Sequence, residues 1–170
     1  FLLFAPDSVY GYFLKGDVII NTTELTKCAN DTTFDKLIVH VDETILNNDS
    51  TLQIEKTKMH TSTNKKLYAF IHSGCEYCKL GMKKIKMIFD LNDIPYEKCM
   101  VFIWGDDAHI IDFIKETQTS NFTFRLVYAF EAVALTNGRF PSFAIVSNNE
   151  VIQDYSFRTI SENEILKYLK

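Results

Sequence analysis

The sequence predicts an α/β fold over residues 66–170, where strand-like and helix-like segments alternate along the chain. The first observation is an apolar run at 67–71, directly followed by a Cys-x-x-Cys pair and an amphipathic helical stretch. The second is a proline, Pro141, that leads into a β-hairpin. The third is a capping-box pattern that opens a last helix. Together these signals give a β-α-β-α-α-β-β-α order of elements.

The segment that follows the Cys-x-x-Cys pair predicts a helix over residues 79–90. Apolar side chains recur at helical spacing on one face of this segment, and lysines occupy another face. The sequence 92–95, which ends in a proline, closes the helix. Its apolar face consists of Met82, Ile85, Ile88 and Phe89.

The next elements are predicted as a strand and two helices. Residues 96–104 have the apolar pattern of a strand. Asp106 and Asp107 can cap a second helix that extends to about Thr117. Residues 124–135 predict a further helix.

The C-terminal part of the chain predicts a hairpin and a final helix. The apolar run 142–146 is interrupted by two asparagines and resumes at 151–152. Residues 161–164 have the sequence Ser-Glu-Asn-Glu, which is a capping box. The helix that this box opens carries the apolar residues Ile165, Leu166 and Leu169.

Cys75 and Cys78 are the strongest chemical signal in the chain. A thiol attacks a disulfide only as its thiolate, which is favoured at a helix N-terminus by unpaired N–H groups and the positive end of the dipole. We therefore expect Cys75 to be the nucleophile. Cys78 lies one helical turn later and can resolve the mixed disulfide formed at Cys75. The alternative is half of a zinc site, but no second ligand pair follows, so no metal site is predicted.

The Cys-x-x-Cys pair, its strand and helix, and Pro141 together resemble the thioredoxin-like superfamily. In that family a cis-proline before a core strand faces the dithiol and helps to bind the extended substrate chain. The resemblance implies a three-layer fold, with a central mixed sheet flanked by helices. It also implies a cis bond between Phe140 and Pro141, although a trans proline at the strand entry is the alternative. The helix predicted between Asn121 and Thr136 would then be an insertion before the cis-proline strand.

Several residues around the pair depart from the thioredoxin pattern or modify it. Many thioredoxins carry a proton-relaying aspartate six residues before the first cysteine, where this chain has Ala69. Glu76 and Tyr77 replace the usual Gly-Pro between the cysteines, and we expect them to tune the site or contact substrate. The Glu76 carboxylate disfavours a thiolate, whereas Lys79 and a protonated His72 would favour it. Because these effects oppose each other, the sequence does not place the reduction potential of the Cys75–Cys78 pair within the range from about −270 to about −120 mV. A packed or solvated imidazole is the alternative role for His72.

The other two cysteines carry weaker signals. Cys99 falls inside a predicted strand, and Cys28 lies in the N-terminal segment. Buried free thiols are one interpretation, and a disulfide between Cys28 and Cys99 is the other.

Length and composition predict one domain with an N-terminal extension. The 170 residues are 46% apolar and 14% aromatic, which is enough for one substantial core. Residues 66–170 form the main domain, and residues 1–65 are predicted to be a β-rich extension packed on it. The candidate strands of this extension are 13–14, 18–20, 37–41 and 52–54.

Charge and motif content limit the partners. The net charge of −4 provides no basic field suited to nucleic acid, and no glycine motif for a nucleotide cofactor is present. No cofactor is therefore predicted. The family resemblance implies that protein thiols and disulfides are the substrates and that another redox protein recycles the site.

A narrower resemblance concerns the extracytoplasmic thioredoxin-like domains found beside DoxX-type membrane proteins of Bacteroidetes. It rests on the Cys-x-x-Cys unit, the long extension and the apolar start at residues 1–6, which is too short for the roughly 20 residues of a membrane span. It implies a periplasmic protein, either free or tethered through a segment outside this sequence. The recycling partner could then be embedded in the membrane.

Two function classes follow. The favoured one is a thiol–disulfide oxidoreductase that acts on protein disulfides or thiols through Cys75 and Cys78, with Phe140 and Pro141 holding the substrate. The alternative is a thioredoxin-like binding module in which the pair is structural and the insertion around 121–138 holds a partner. An accessible Cys75 sulfur beside a cis Pro141 would favour the enzyme, and a covered pair would favour the module.

Overall fold

The structure, a computed structural model, describes residues 20–21, 23–25, 37–40, 53–56, 65–148 and 150–170. Its elements of four or more residues are, in chain order, β1 (Leu37–His40), β2 (Gln53–Lys56), β3 (Lys66–His72), α1 (Glu76–Leu91), β4 (Cys99–Trp104), α2 (Asp107–Thr117), β5 (Thr123–Leu126), α3 (Ala129–Thr136), β6 (Ser142–Ser147), β7 (Glu150–Ser156) and α4 (Glu162–Leu169).

The strands form one mixed sheet in the order β2-β1-β5-β4-β3-β6-β7. Strands β3, β4 and β5 are parallel to one another, whereas β6 runs antiparallel to β3 and β7 antiparallel to β6. The carboxyl ends of β3, β4 and β5 therefore meet at one edge of the sheet, which is where ligands usually bind in α/β proteins. The start of β6 lies at the same edge, because Ser142 pairs with Phe70 near the end of β3.

Helices cover both faces of the sheet, as the predicted three-layer fold requires. Successive residues of a strand point to opposite faces. Leu67, Ala69 and Ile71 of β3 face a core shared with α1, α2 and α4. Tyr68 and Phe70 face a second core, to which α3 and residues near the N-terminus contribute.

Helix α1 lies very close to β6. A Cβ atom at Gly81 would lie 3.0 Å from Cζ of Phe143 and 3.4 Å from Cγ of Pro141, so glycine permits this approach. The apolar face predicted for this helix is buried in full, with Cys78 and Gly81 beside it. The helix that carries Cys78 is therefore fixed directly on the strand that follows Pro141.

Two predicted elements were wrong in part. Tyr96–Lys98 forms a 3-10 turn, so the strand predicted over 96–104 begins only at Cys99. The helix predicted over 124–135 contains a strand, β5, before α3 begins at Ala129. A short apolar run fits either a strand or a helix by periodicity alone. Hydrogen bonding to β4 on one side and β1 on the other makes this one a strand.

The N-terminal extension contributes to the sheet and to the second core. Strands β1 and β2 overlap the predicted segments 37–41 and 52–54 without matching their ends, and they extend the sheet beyond β5. Ile20 and Leu25 are buried in the second core, and the Asn21 N–H donates to the Leu135 carbonyl at 2.7 Å. The predicted strand 13–14, most of 18–20, and Cys28 lie outside the described residues. The division at residue 65 stays a prediction.

Candidate active site

Cys75 is the N-cap residue of α1 and follows β3 by a short turn. Its N–H donates to the His72 carbonyl at 3.1 Å, and its own carbonyl accepts from the Lys79 N–H at 3.1 Å. The side chain of Cys75 makes no capping hydrogen bond and is half-buried. Its sulfur therefore lies beside the unpaired N–H groups that begin a helix.

Cys78 lies in a different environment from Cys75, although both are free thiols. Its side chain is 0% exposed, and the His72 N–H donates to its sulfur at 3.5 Å. Burial raises the pKa of Cys78 strongly, and the neighbouring Cys75 adds to this rise, while the His72 N–H opposes it. One sulfur of the pair is therefore accessible and the other is a sheltered thiol.

His72, the last residue of β3, packs against an aromatic cluster. Its ring lies 4.2 Å from that of Trp104, which in turn lies 6.1 Å from the ring of Phe140. Burial lowers the pKa of His72 below its usual 6.5, and the charge of His109 lowers it further. A lowered pKa favours the neutral imidazole at pH 7, so the effect expected of a protonated His72 is weakened.

Because His72 is partly buried, the stability of the folded protein should depend on pH. Because the pKa of His72 is lowered in the folded state, the unfolded chain takes up a proton first as the pH falls. The stability that neutral His72 provides is thus present above about pH 6.5 and is lost at lower pH. We expect His72→Phe, which keeps the aromatic contact, to lose less stability between about pH 7 and about pH 5 than the unchanged protein. An NMR titration that places the pKa of the His72 ring at or above its usual value would contradict this prediction.

Lys79 does not act as a free positive charge beside Cys75. Its ammonium group lies 2.8 Å from a carboxylate oxygen of Glu76 and 2.8 Å from one of Glu116 on α2. The hydrogen bonds that Lys79 donates to Glu116 first and to Glu76 second raise the pKa of Lys79. The two carboxylates compensate its charge, so the favourable effect predicted for Lys79 is weakened, and so is the unfavourable effect of Glu76.

Tyr77, between the two cysteines, lies on the protein surface. Its side chain is 58% exposed, and its ring lies 5.9 Å from that of Phe157, which follows β7. The ammonium group of Lys84 lies 5.7 Å from the centre of the Phe157 ring. Tyr77 therefore begins an aromatic and apolar surface next to the dithiol.

Phe140 and Pro141 lie at the same sheet edge as the cysteines. The bond between them is cis, as the family resemblance implied. Pro141 is buried at the start of β6 and approaches α1 at Gly81. Phe140 is half-buried, and it packs against the same core cluster as Cys75. The structure thus brings the predicted residues together around the N-terminus of α1.

No protein-family model and no curated protein matches the sequence. Solved structures do match its fold. A proposed protein disulfide isomerase from Bacteroides thetaiotaomicron superposes with a TM-score of 0.52 at 12% identity, covering 64% of this chain and 76% of that chain. A proposed electron transfer protein from Aquifex aeolicus gives a TM-score of 0.51 at 13% identity, with coverages of 79% and 91%. A proposed thiol:disulfide interchange protein DsbE from Chlorobium tepidum gives 0.50 at 13% identity, with coverages of 65% and 83%.

The chain has a thioredoxin-like fold. Within this fold, Ala69 lies where many thioredoxins carry their buried aspartate. Its side chain is 0% exposed, and it pairs with Val101 on β4 and with Phe143 on β6. The position six residues before Cys75 is therefore buried and apolar, and its side chain cannot relay a proton.

The neighbourhood of the two cysteines also contains residues that the sequence analysis missed. Trp104, the single tryptophan of the chain, ends β4 beside His72, where the parallel register of the strands brings the two together. Its place at the end of an apolar strand is a signal that could have indicated it. Glu116 and Phe157 carry no such signal, because they reach the site from distant elements.

The described residues show neither a metal-ligand cluster nor a membrane-spanning helix. No group of three or more His, Cys, Asp or Glu side chains in this part of the chain is placed to hold a metal ion. No helix among the same residues combines the length and apolar character needed to cross a bilayer.

Proposed function

We propose that the protein is a thiol–disulfide oxidoreductase that acts on protein disulfides or thiols through Cys75 and Cys78. The observation that carries the proposal is the asymmetry of the two sulfurs. Cys75 is half-buried at the N-terminus of α1, whereas Cys78 is buried and its pKa is raised. An accessible nucleophile and a sheltered resolving thiol are what stepwise exchange requires.

Reduction of a substrate disulfide proceeds in two displacements. The Cys75 thiolate attacks one substrate sulfur, a Cys75–substrate disulfide forms, and the other substrate sulfur leaves as a thiolate. Cys78 then gives its proton to water and attacks the Cys75 sulfur, which closes the Cys75–Cys78 disulfide and releases the second substrate thiolate. The protein dithiol gives up two electrons and the substrate disulfide gains them. Substrate oxidation is the reverse sequence.

The surrounding residues take separate roles in this scheme. His72, whose pKa is lowered, and Lys79, whose charge is compensated by two carboxylates, offer little positive charge to the Cys75 thiolate. The N-terminus of α1 is therefore the main group that stabilises this thiolate. The His72 N–H, 3.5 Å from the Cys78 sulfur, stabilises the thiolate that develops there during resolution.

Residues on either side of the dithiol hold the substrate. Phe140 and Pro141 provide a binding edge for the substrate chain, and Phe140 belongs to an aromatic cluster with Trp104. Glu76 and Tyr77 are exposed between the cysteines and meet the substrate from the helix side.

The proposal includes a location and a recycling partner. We propose an extracytoplasmic protein whose dithiol is recharged by a second redox protein, which is membrane-embedded if the likeness to DoxX-associated domains holds. The support is the Cys-x-x-Cys unit together with the long N-terminal extension.

A binding module without exchange activity is the second candidate. The apolar setting of Ala69 favours it, because the usual proton acceptor near the buried cysteine is missing. In this case the pair would be structural, and the face around α3 would hold a partner.

A redox titration separates the two candidates. We expect Cys75 and Cys78 to interconvert reversibly between dithiol and disulfide in a glutathione series, with a two-electron transition between about −100 and about −300 mV. The thiol state is measured by alkylation and mass spectrometry. Cys99, which is 0% exposed, serves as an internal control that stays unmodified until the protein is unfolded. A pair that resists reduction throughout, or that never forms a disulfide, would favour the binding module.

A further inference from the structure

Helix α1 carries an exposed apolar stripe along one margin of its buried face. Its exposed fractions are 58% for Tyr77, 50% for Leu80, 56% for Met87 and 71% for Leu91. Together with Lys84 these residues repeat at alternating spacings of three and four. At 100° per residue all five lie within an arc of about 80°, and they extend along about 21 Å of the helix. We call this set the α1 stripe.

The α1 stripe is additional to the core-facing side of the same helix. That side holds Met82, Ile85 and Phe89, all of them buried. A helix that packs against a single core needs only one apolar face. Of the eight large apolar side chains exposed in the described residues, four belong to the stripe, whereas scattered single residues would be ordinary. The exposed stripe therefore indicates an interaction surface.

The spacing of the stripe matches the seam of a two-helix contact. Positions separated by alternating steps of three and four form the apolar seam of a coiled coil. Helical partners bind through the same pattern when an amphipathic helix lies against an apolar surface. The occupant that fits an exposed helical ridge is thus a second helix.

The charge of Lys84 limits which helix can bind to the α1 stripe. Lys84 lies halfway between Tyr77 and Leu91, so a second copy paired symmetrically would place Lys84 against Lys84 in either orientation. Two ammonium groups meeting in an apolar seam repel each other and lose hydration. The other lysines of α1 each lie near a carboxylate, whereas the described residues place none within 4 Å of Lys84. A partner with a carboxylate at the centre of its seam complements this position.

We propose that the α1 stripe binds an amphipathic helix of a partner protein, one with an acidic residue at the centre of its apolar face. The stripe starts at Tyr77 in the first turn of α1, so one end of the bound helix lies at the N-terminus of α1, where Cys75 is the N-cap residue. Docking there brings a thiol or disulfide of the partner to the reactive sulfur. This delivery rests on the proposed oxidoreductase function, whereas binding to the stripe does not.

Two synthetic helical peptides test the proposal. Both have an apolar seam at alternating spacings of three and four, and they differ only in a central Glu or Lys. Each carries one cysteine joined to 5-thio-2-nitrobenzoate by a disulfide, and it is made with that cysteine at either end because the stripe does not determine the orientation. Attack by Cys75 forms the Cys75–peptide disulfide and releases coloured thionitrobenzoate. The symmetric dithiobis(nitrobenzoate) is the small-molecule reference, and the Cys75→Ser variant gives the background rate.

We expect the Glu-centred peptide to react roughly tenfold faster than the Lys-centred one at subsaturating concentration. Leu80→Glu and Met87→Glu should abolish this advantage without changing the rate with the small disulfide. Lys84→Glu should reverse the preference between the two peptides. Ile152→Glu is the matched control, because Ile152 is 43% exposed on β7 at the edge of the sheet, and it should leave all rates unchanged.

The outcomes separate the surface from the chemistry. Equal rates for the two peptides, or a preference that survives Leu80→Glu, would overturn the α1 stripe as the docking surface while exchange itself stands. A failure to react even with the small disulfide would overturn the exchange function. Fluorescence anisotropy with the same peptides lacking the disulfide would then still measure binding to the stripe. A dimer in sedimentation that Leu80→Glu dissociates would show that a second copy, and not a partner helix, occupies the stripe.

Discussion

Cys75→Ser abolishes thiol–disulfide exchange, whereas Cys78→Ser leaves the first attack intact and accumulates a covalent adduct with the substrate. We expect Cys75→Ser to lower the rate by at least about a hundredfold, because loss of the nucleophile removes the covalent route as a whole. Cys78→Ser retains the accessible sulfur but lacks the thiol that would resolve the mixed disulfide. Reduction of a protein disulfide is followed over time, and the adduct is detected on non-reducing gels and by mass spectrometry.

A third variant provides the control for these two. Cys99 is a free, fully buried thiol at the start of β4. Cys99→Ala removes a sulfur without placing a polar group in the core, so exchange should persist. Equal and partial losses in Cys75→Ser and Cys78→Ser would contradict the separate roles of nucleophile and resolving residue.

The dithiol could be predicted from the sequence because its signals are local. The spacing of Cys75 and Cys78 and the apolar run before them lie within one short segment. Pro141 was recognisable because it precedes an apolar run that ends in turn residues. Strand β5 was not recognised, because it is a short run whose state depends on pairing with β4 and β1. Pairing between distant segments is invisible to periodicity within one segment.

The electrostatics of the site could be predicted only as a set of opposing effects. Sequence alone indicates that Lys79 and His72 lie near Cys75, but their net effect depends on contacts from elsewhere. Glu116, on another helix, compensates Lys79, and the packing of His72 against Trp104 accompanies its lowered pKa. Charge near a thiolate is therefore decided by tertiary partners and burial, neither of which a single sequence displays.

Phe143→Ala should cause the largest loss of stability among the changes considered. Phe143 is 0% exposed, it pairs with Ala69 in the sheet, and its ring meets α1 at Gly81. Removing the ring loses its burial and leaves a cavity beneath the helix, so the free energy of unfolding should fall by about 3–5 kcal/mol. Denaturant unfolding at constant pH measures the change. Phe143→Leu, which keeps much of the volume, should cost less than about 1.5 kcal/mol.

The same substitution tests whether the packing of α1 on Phe143 keeps Cys78 buried. If the contact between Phe143 and the helix holds the resolving sulfur in place, Phe143→Ala should speed alkylation of Cys78 in the folded protein. Leu91→Ala removes an exposed side chain from the end of α1, and it should change stability by no more than about 0.5 kcal/mol. A loss below about 1 kcal/mol in Phe143→Ala, with Cys78 still protected, would mean that the helix does not depend on β6. The asymmetry of the two sulfurs would then have to come from the turn between β3 and α1 alone.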